Sequence, residues 1–401
     1  MKTKNSDMHK ISGLFGSLFL LLSLTAGAQN DSVSLAKPEI SGYFSDVVSV
    51  IHWKGFNPVW DNNLQNRTRL KWVPLRWVDL EVQARTRFLF GETVRNTPGY
   101  ATGLDADRGI ADLSRNLANG NSYLLNSQLD RVFLHFAGGP FEITVGRQRI
   151  NWGQTFVWNP NDIFNAYSFF EFDYPEKPGS DAVRIQYFSG IANSLELAVK
   201  ADSGGRITAA GMARLNWKNY DFQFLAGTLD GEDLFAGMGW SGSIYGAGFK
   251  GEASYFHPLS NARDTSGMLL FSLSTDYSFA NSWHLLAEML LRYQDRRIPE
   301  LNIAEYLTTP ASVKNLAIAN VNLLAQLSIP IHELLNGSIA AMAVPGVKGI
   351  FASPDLTLSL SDNLEASLSA QYFHGRFPDP ATSVESTQSL AIGYFRLKWS
   401  F

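Results

Sequence analysis

The chain has 401 residues, with 33 Lys and Arg against 37 Asp and Glu, a formal charge of −4 that lacks the basic excess of a nucleic-acid binder. It contains no cysteine, which excludes a disulfide framework, thiolate metal sites and a thiol nucleophile. Charged residues make up 17%, aromatics 13% and glycines number 33 at a mean hydropathy of −0.08; this is too polar for a bundle of membrane helices and favours an all-β chain.

Lys2, Lys4 and Lys10 precede an apolar run from Ile11 to Leu24, and Ala26-Gly27-Ala28 follows. This order predicts a secretory signal peptide over 1–28, cleaved before Gln29. The apolar run is shorter than the ~20 residues that a spanning helix needs. The remainder, 29–401, reads as one domain of an exported protein.

From there the chain alternates with period two. In 77–88, Val78, Leu80, Val82, Ala84 and Phe88 oppose Asp79, Glu81, Gln83, Arg85 and Arg87. Comparable strands are predicted over 39–53, 62–73, 76–91, 123–136, 141–150, 181–188, 194–202, 206–217, 220–228, 233–241, 244–256, 267–278, 282–294, 316–329, 334–344, 352–361, 363–373 and 387–401. Many run to ten residues or more, against about 5–6 in ordinary sheets and about 9–11 for a tilted membrane strand. Trp72, Trp217, Trp240, Tyr255, Tyr277, Trp283 and Tyr293 fall near strand ends on the apolar face, where interfacial girdles sit. Connections after even strands are mostly short, as at Pro74-Leu75 and Lys218-Asn219. Several after odd strands are long: 92–122, 151–180, 257–266, 295–315 and 374–386. These features predict a transmembrane antiparallel up-and-down β-barrel of about 18 strands. Sixteen is the alternative, because 334–361 divides ambiguously.

The final strand, Ala391 to Phe401, alternates to the last residue, with Phe395, Leu397, Trp399 and Phe401 on one face. Here the chain resembles Gram-negative outer-membrane β-barrels of the porin type, and Gly146-Arg147-Gln148-Arg149-Ile150-Asn151-Trp152-Gly153 is similar to segments of large porins. The resemblance implies that Phe395, Trp399 and Phe401 present the strand to the barrel-assembly machinery. It implies outer-membrane lipids and small hydrophilic solutes as partners, and a third outer loop folded inward as the constriction. That loop is 151–180, acidic at Asp162, Glu171, Asp173 and Glu176 and aromatic at Trp152, Phe156 and Trp158. No plug domain is expected, since about ten residues separate the predicted cleavage site from the first strand.

Arg67, Arg69 and Lys71 share one face of the second strand, and Arg85 and Arg87 one face of the third. Arg131, Arg147 and Arg184, with Arg149 as an alternative to Arg147, extend this into a basic pore wall that would focus a field across the lumen. The competing reading is cross-strand pairing: a turn at Pro74-Leu75 sets Lys71 opposite Asp79 and Arg69 opposite Glu81, leaving Arg67, Arg85 and Arg87 uncompensated within the hairpin. Asp221, Glu252, Asp276, Glu288, Asp355 and Glu365 are acidic lumen candidates on the far side.

Gly237-Met238-Gly239-Trp240-Ser241-Gly242 matches a dinucleotide fingerprint but lacks the strand–turn–helix context, so its glycines are read as making room in the lumen. Leu229 to Asp233 reads as a turn, and 104–118 as a short helix in the second outer connection. No metal, cofactor or catalytic group is expected. The function expected is passive diffusion of small hydrophilic solutes, with a preference for anionic or carboxylate-bearing ones. A carbohydrate channel and a polysaccharide exporter stand as alternatives, and an outer-membrane enzyme or a surface adhesion and assembly barrel as those of another class.

Overall fold

The computed structural model describes residues 37–167, 176–177, 179–260, 267–294, 312–316, 318–378 and 385–401. The predicted leader lies outside them, as do Glu171 and Asp173. The described residues form β1 (Glu39–Trp53), β2 (Val59–Leu75), β3 (Val78–Gly91), β4 (Ser114–Asn119), β5 (Tyr123–Gly138), β6 (Phe141–Gln148), β7 (Ser180–Phe188), β8 (Ser194–Ala201), β9 (Ile207–Trp217) and β10 (Tyr220–Leu229). They continue with β11 (Asp233–Ile244), β12 (Ala247–Pro258), β13 (Met268–Ser278), β14 (His284–Gln294), β15 (Val321–His332), β16 (Leu335–Val344), β17 (Gly349–Ser361), β18 (Leu364–Pro378) and β19 (Glu385–Ser400).

All strands but β4 form an 18-stranded antiparallel barrel, in which β3 pairs directly with β5. The seam joins β1 to β19, from Tyr43 opposite Ser400 to Trp53 opposite Leu390. Closure leaves no sheet edge unpaired in hydrocarbon, where an orphan amide is costly. At the seam's foot the Phe401 amide donates to the Gly42 carbonyl at 2.9 Å, and the Gly42 amide donates back at 3.0 Å. Phe44, Trp399 and Phe401 stack beside it, their ring centres 5.7–6.0 Å apart.

The outward face carries the exposed apolar side chains, including Leu195, Leu197 and Val199 on β8 and Leu234 and Met238 on β11. Trp72, Trp217, Tyr255, Tyr277, Trp283 and Tyr293 are exposed on it, which is the arrangement of a membrane barrel with aromatic borders. The ambiguous stretch 334–361 divides into β16 and β17, joined through a single 3₁₀ turn at Pro345–Val347.

Two local expectations change. The β2–β3 turn lies at Arg76-Trp77, because the strand continues past Pro74 through an irregularity. The register is therefore Lys71 opposite Glu81, Arg69 opposite Gln83 and Arg67 opposite Arg85, two residues from the one predicted. The 104–118 helix is not formed. Short helices occupy Glu92–Asn96 and Tyr100–Asp105, and Ser114–Asn119 is strand β4. β6 covers β5 only from Val132 to Gly138, so the upper edge of β5 is open, and β4 pairs there with Leu124 to Gln128. An available ladder outweighs a weak helical pattern.

Candidate functional site

The connection between β6 and β7 enters the lumen. Six of its backbone amides, those of 154–158 and 161, turn towards two carboxylates on the barrel wall. Glu252 on β12 accepts from the amides of Gln154, Thr155 (2.9 Å) and Asn161 (2.8 Å). Glu288 on β14 accepts from those of Phe156 (3.0 Å), Val157 (3.0 Å) and Trp158 (2.6 Å), and from the Ser272 hydroxyl (3.2 Å). Both glutamates are essentially inaccessible to water, at 0% and 3% exposure. Neither has an ion-pair partner among the described residues; backbone amides satisfy them, with one hydroxyl each, from Thr155 to Glu252 and from Ser272 to Glu288.

Side chains complete the seat. Asn161 donates to the Met238 carbonyl at 3.0 Å and accepts from Ser254 at 2.7 Å. Gln223 donates to the Trp152 carbonyl at 2.7 Å, and the Trp152 indole donates to Glu196. Gly237 and Gly239 leave the space: a Cβ on Gly237 would stand 2.8 Å from the Asn161 side chain, and one on Gly239 2.9 Å from that of Gln154. Trp152 packs edge-on against Phe164 at 5.0 Å, and both join Ile150, Trp158 and Ile163 in an apolar cluster with Phe235, Phe256, Leu270 and Leu290 of the wall. Burying so aromatic a loop against the wall removes its apolar surface from water.

The returning limb meets the other side of the barrel. The Tyr43 hydroxyl donates to Glu176 at 3.0 Å, and Arg67 stands 3.6 Å from the same carboxylate oxygen. Lys177 lies over the Tyr167 ring at 3.1 Å. The loop thus touches β12 and β14 at one end and β1 and β2 at the other. A second segment, 312–320, joins the obstruction. Val313, Leu316, Ile318 and Ala319 are buried in the same apolar cluster, and Lys314 pairs with Asp233 at 2.7 Å. The sequence pattern places 312–315 in an outer connection and 316–320 at the start of a strand, whereas β15 begins at Val321.

The predicted basic wall exists as a row of positions but is largely neutralised. A bulge in β5 inserts Asp130, whose carboxylate lies 2.7 Å from Arg67 and 3.5 Å from Arg85. Arg69 pairs diagonally with Glu81 at 2.8 Å, and Arg184 with Glu196 through two bonds of 2.6 and 2.7 Å. Arg87 donates to Asn126 at 3.1 Å, and Arg131 approaches the Lys177 carbonyl at 3.5 Å. Within the β2–β3 hairpin Arg67 and Arg85 meet no carboxylate, as expected; their shared acidic partner, Asp130, comes from β5, as does the Asn126 side chain that Arg87 reaches. Arg147 serves a different purpose, tying Asp107 of the second outer connection (2.5 Å) to Asp181 at the start of β7 (2.6 Å).

Two chambers flank the loop. The outer one, about 810 Å³, is lined by Arg108, Asp130, Phe164, Lys200, Asp230 and Val313, among others. The inner one, about 270 Å³, is lined by Lys71, Asp79, Glu81, Arg131, Glu142 and Arg184, among others. Within the loop, burial pushes the Asp162 carboxyl up to about 6, against the pull of Arg149 at 2.9 Å. Burial, with Arg149 nearby, brings Lys177 down to about 8, and burial raises Tyr167 to about 12.

No described protein family and no curated protein matches the chain. Solved structures do. OccAB1 of Acinetobacter baumannii superposes with a TM-score of 0.58 at 9% identity, over 93% of this chain and 99% of that one. OccK11 (OpdR) of Pseudomonas aeruginosa gives 0.56 at 11%, over 91% and 96%. OprD of Pseudomonas aeruginosa gives 0.54 at 9%, over 91% and 97%. These are outer-membrane porins of the Occ/OprD type, and the chain has their fold.

Proposed function

We propose that the protein is an outer-membrane channel through which small hydrophilic solutes diffuse passively, narrowed where residues 150–167 of the β6–β7 connection enter the lumen. One observation carries the reading: a wide barrel, too large for its own side chains to fill, is obstructed by a loop held to opposite walls, with chambers above and below it. Such a geometry sieves by size and needs no chemistry.

For selectivity we propose a mild preference for anionic or carboxylate-bearing solutes. Lys71 and Arg131 line the inner chamber and Arg108 and Lys200 the outer one, yet Asp79, Glu142 and Asp230 stand beside them. Most arginines of the wall are paired, so the preference is small. Trp152 and Trp158 are 1% and 2% exposed, so neither offers a face on which a sugar ring could stack. The test is the reversal potential of the purified protein in a planar bilayer under a salt gradient. Anion preference is expected. Cation preference removes the selectivity proposal, and absence of current removes the channel.

A further inference from the structure

We infer that Glu252 and Glu288 are positioning residues that set the size limit of the passage, by fastening the 154–161 arch to the wall as a fixed obstruction. The inference rests on the channel reading. Glu252 grips both feet of the arch, taking the amides of Gln154 and Thr155 at one end and Asn161 at the other. Glu288 grips its crest through Phe156, Val157 and Trp158. The spacing suits the task. β12 and β14 are separated by one strand, and the consecutive amides of Thr155 and Phe156 go one to each carboxylate, so adjacent residues of the arch bridge the two strands.

The choice of side chain follows from the donors. Six amides point at the wall, and an acceptor-only group with two oxygens meets them all. A glutamine in either place offers one oxygen and turns an NH₂ group towards amide hydrogens, so it both loses acceptors and sets donor against donor. The wall is arranged around the pair. Ser272 on the intervening strand donates to Glu288, and Ser254 on β12 holds the Asn161 side chain. Gly237 and Gly239 keep β11 clear of it. The aromatic residues of the arch add apolar contact, but the hydrogen bonds determine which stretch of loop faces which strand.

The experiment compares wild type with E252Q, E288Q and the double variant, each as full-length protein in planar bilayers and in proteoliposomes swollen by neutral sugars of increasing size. The double variant is expected to conduct severalfold more than wild type and to admit sugars that wild type excludes, with each single variant between. A double variant that keeps the heat-shifted migration of a folded barrel and has wild-type conductance and size limit overturns the inference. Hydrogen–deuterium exchange of the wild type covers the case in which the variants fail to assemble. The amides of 154–158 and 161 are expected to exchange as slowly as barrel amides, and fast exchange there in the folded protein overturns the inference. A wild type that carries no current removes the channel reading and this inference with it. A conducting wild type with an unchanged double variant removes this inference alone.

Discussion

Replacing Asp130 by Asn keeps the shape of the β5 bulge and removes the one charge that faces both Arg67 and Arg85. The two guanidinium groups sit directly opposite each other across β2 and β3, with side chains 6% and 8% exposed. Like charges in that position repel, and loss of one partner of a buried ion pair costs about 3–5 kcal/mol. Asn keeps one acceptor and Glu176 remains 3.6 Å from Arg67, so the lower end, about 3 kcal/mol, is expected. The effect on permeation follows from Coulomb's law. One extra positive charge about 8 Å from a passing ion, at an effective dielectric of about 20, is worth ~2 kcal/mol before screening. One Debye length of physiological salt reduces this to ~0.8 kcal/mol, in favour of an anion and against a cation, so the anion-to-cation permeability ratio is expected to rise about tenfold. The assay is the reversal potential of D130N against wild type, with urea unfolding in detergent as the stability measurement. A folded D130N with an unchanged reversal potential refutes the claim that Asp130 screens the arginines from the solute path.

Three further outcomes are expected. Asp162 has a folded-state value near 6, above that of an exposed carboxyl, so the stability linked to it is complete below the ordinary carboxylate range and is lost as pH rises through about 6; D162N should flatten that slope in unfolding curves taken across the acidic-to-neutral range. R147M strands Asp107 and Asp181 without their shared cation, so about 3–5 kcal/mol of stability should go, and the 107–113 segment should become open to limited proteolysis. F401A leaves the backbone bonds of the seam intact but removes a ring from the Phe44–Trp399–Phe401 stack, so a lower yield of assembled barrel is expected; an undiminished yield contradicts the role proposed for the terminal aromatic.

The parts of this structure legible in the sequence are those fixed by period-two patterning. Strand number, the exposed aromatic borders, the alternation of short and long connections and the closing strand ending in Phe401 all follow from which side chains face lipid. The aromatic content of the 151–180 connection also announced that it must be packed away. The hairpin register differs by two residues from the one that a tight turn at Pro74-Leu75 dictates, because Pro74 sits inside the strand at an irregularity. The partner of Arg67 and Arg85 was hidden for a related reason. A bulge adds one residue out of phase, so Asp130 points where strict alternation does not send it.

Glu252 and Glu288 show the boundary most clearly. Alternation placed both inside the barrel, as it did Asp221, Asp276, Asp355 and Glu365, and nothing local distinguishes the two that hold a loop from the four that do not. A carboxylate's partner about a hundred residues away is a fact of three-dimensional closure. The linear chain determined that a sheet would close with its apolar face to lipid, because each side chain's facing depends only on its neighbours in the strand. Only the tertiary structure decided where the interior is obstructed and which charges stay open to solute, because both depend on the curvature that brings β12, β14 and β2 around one lumen.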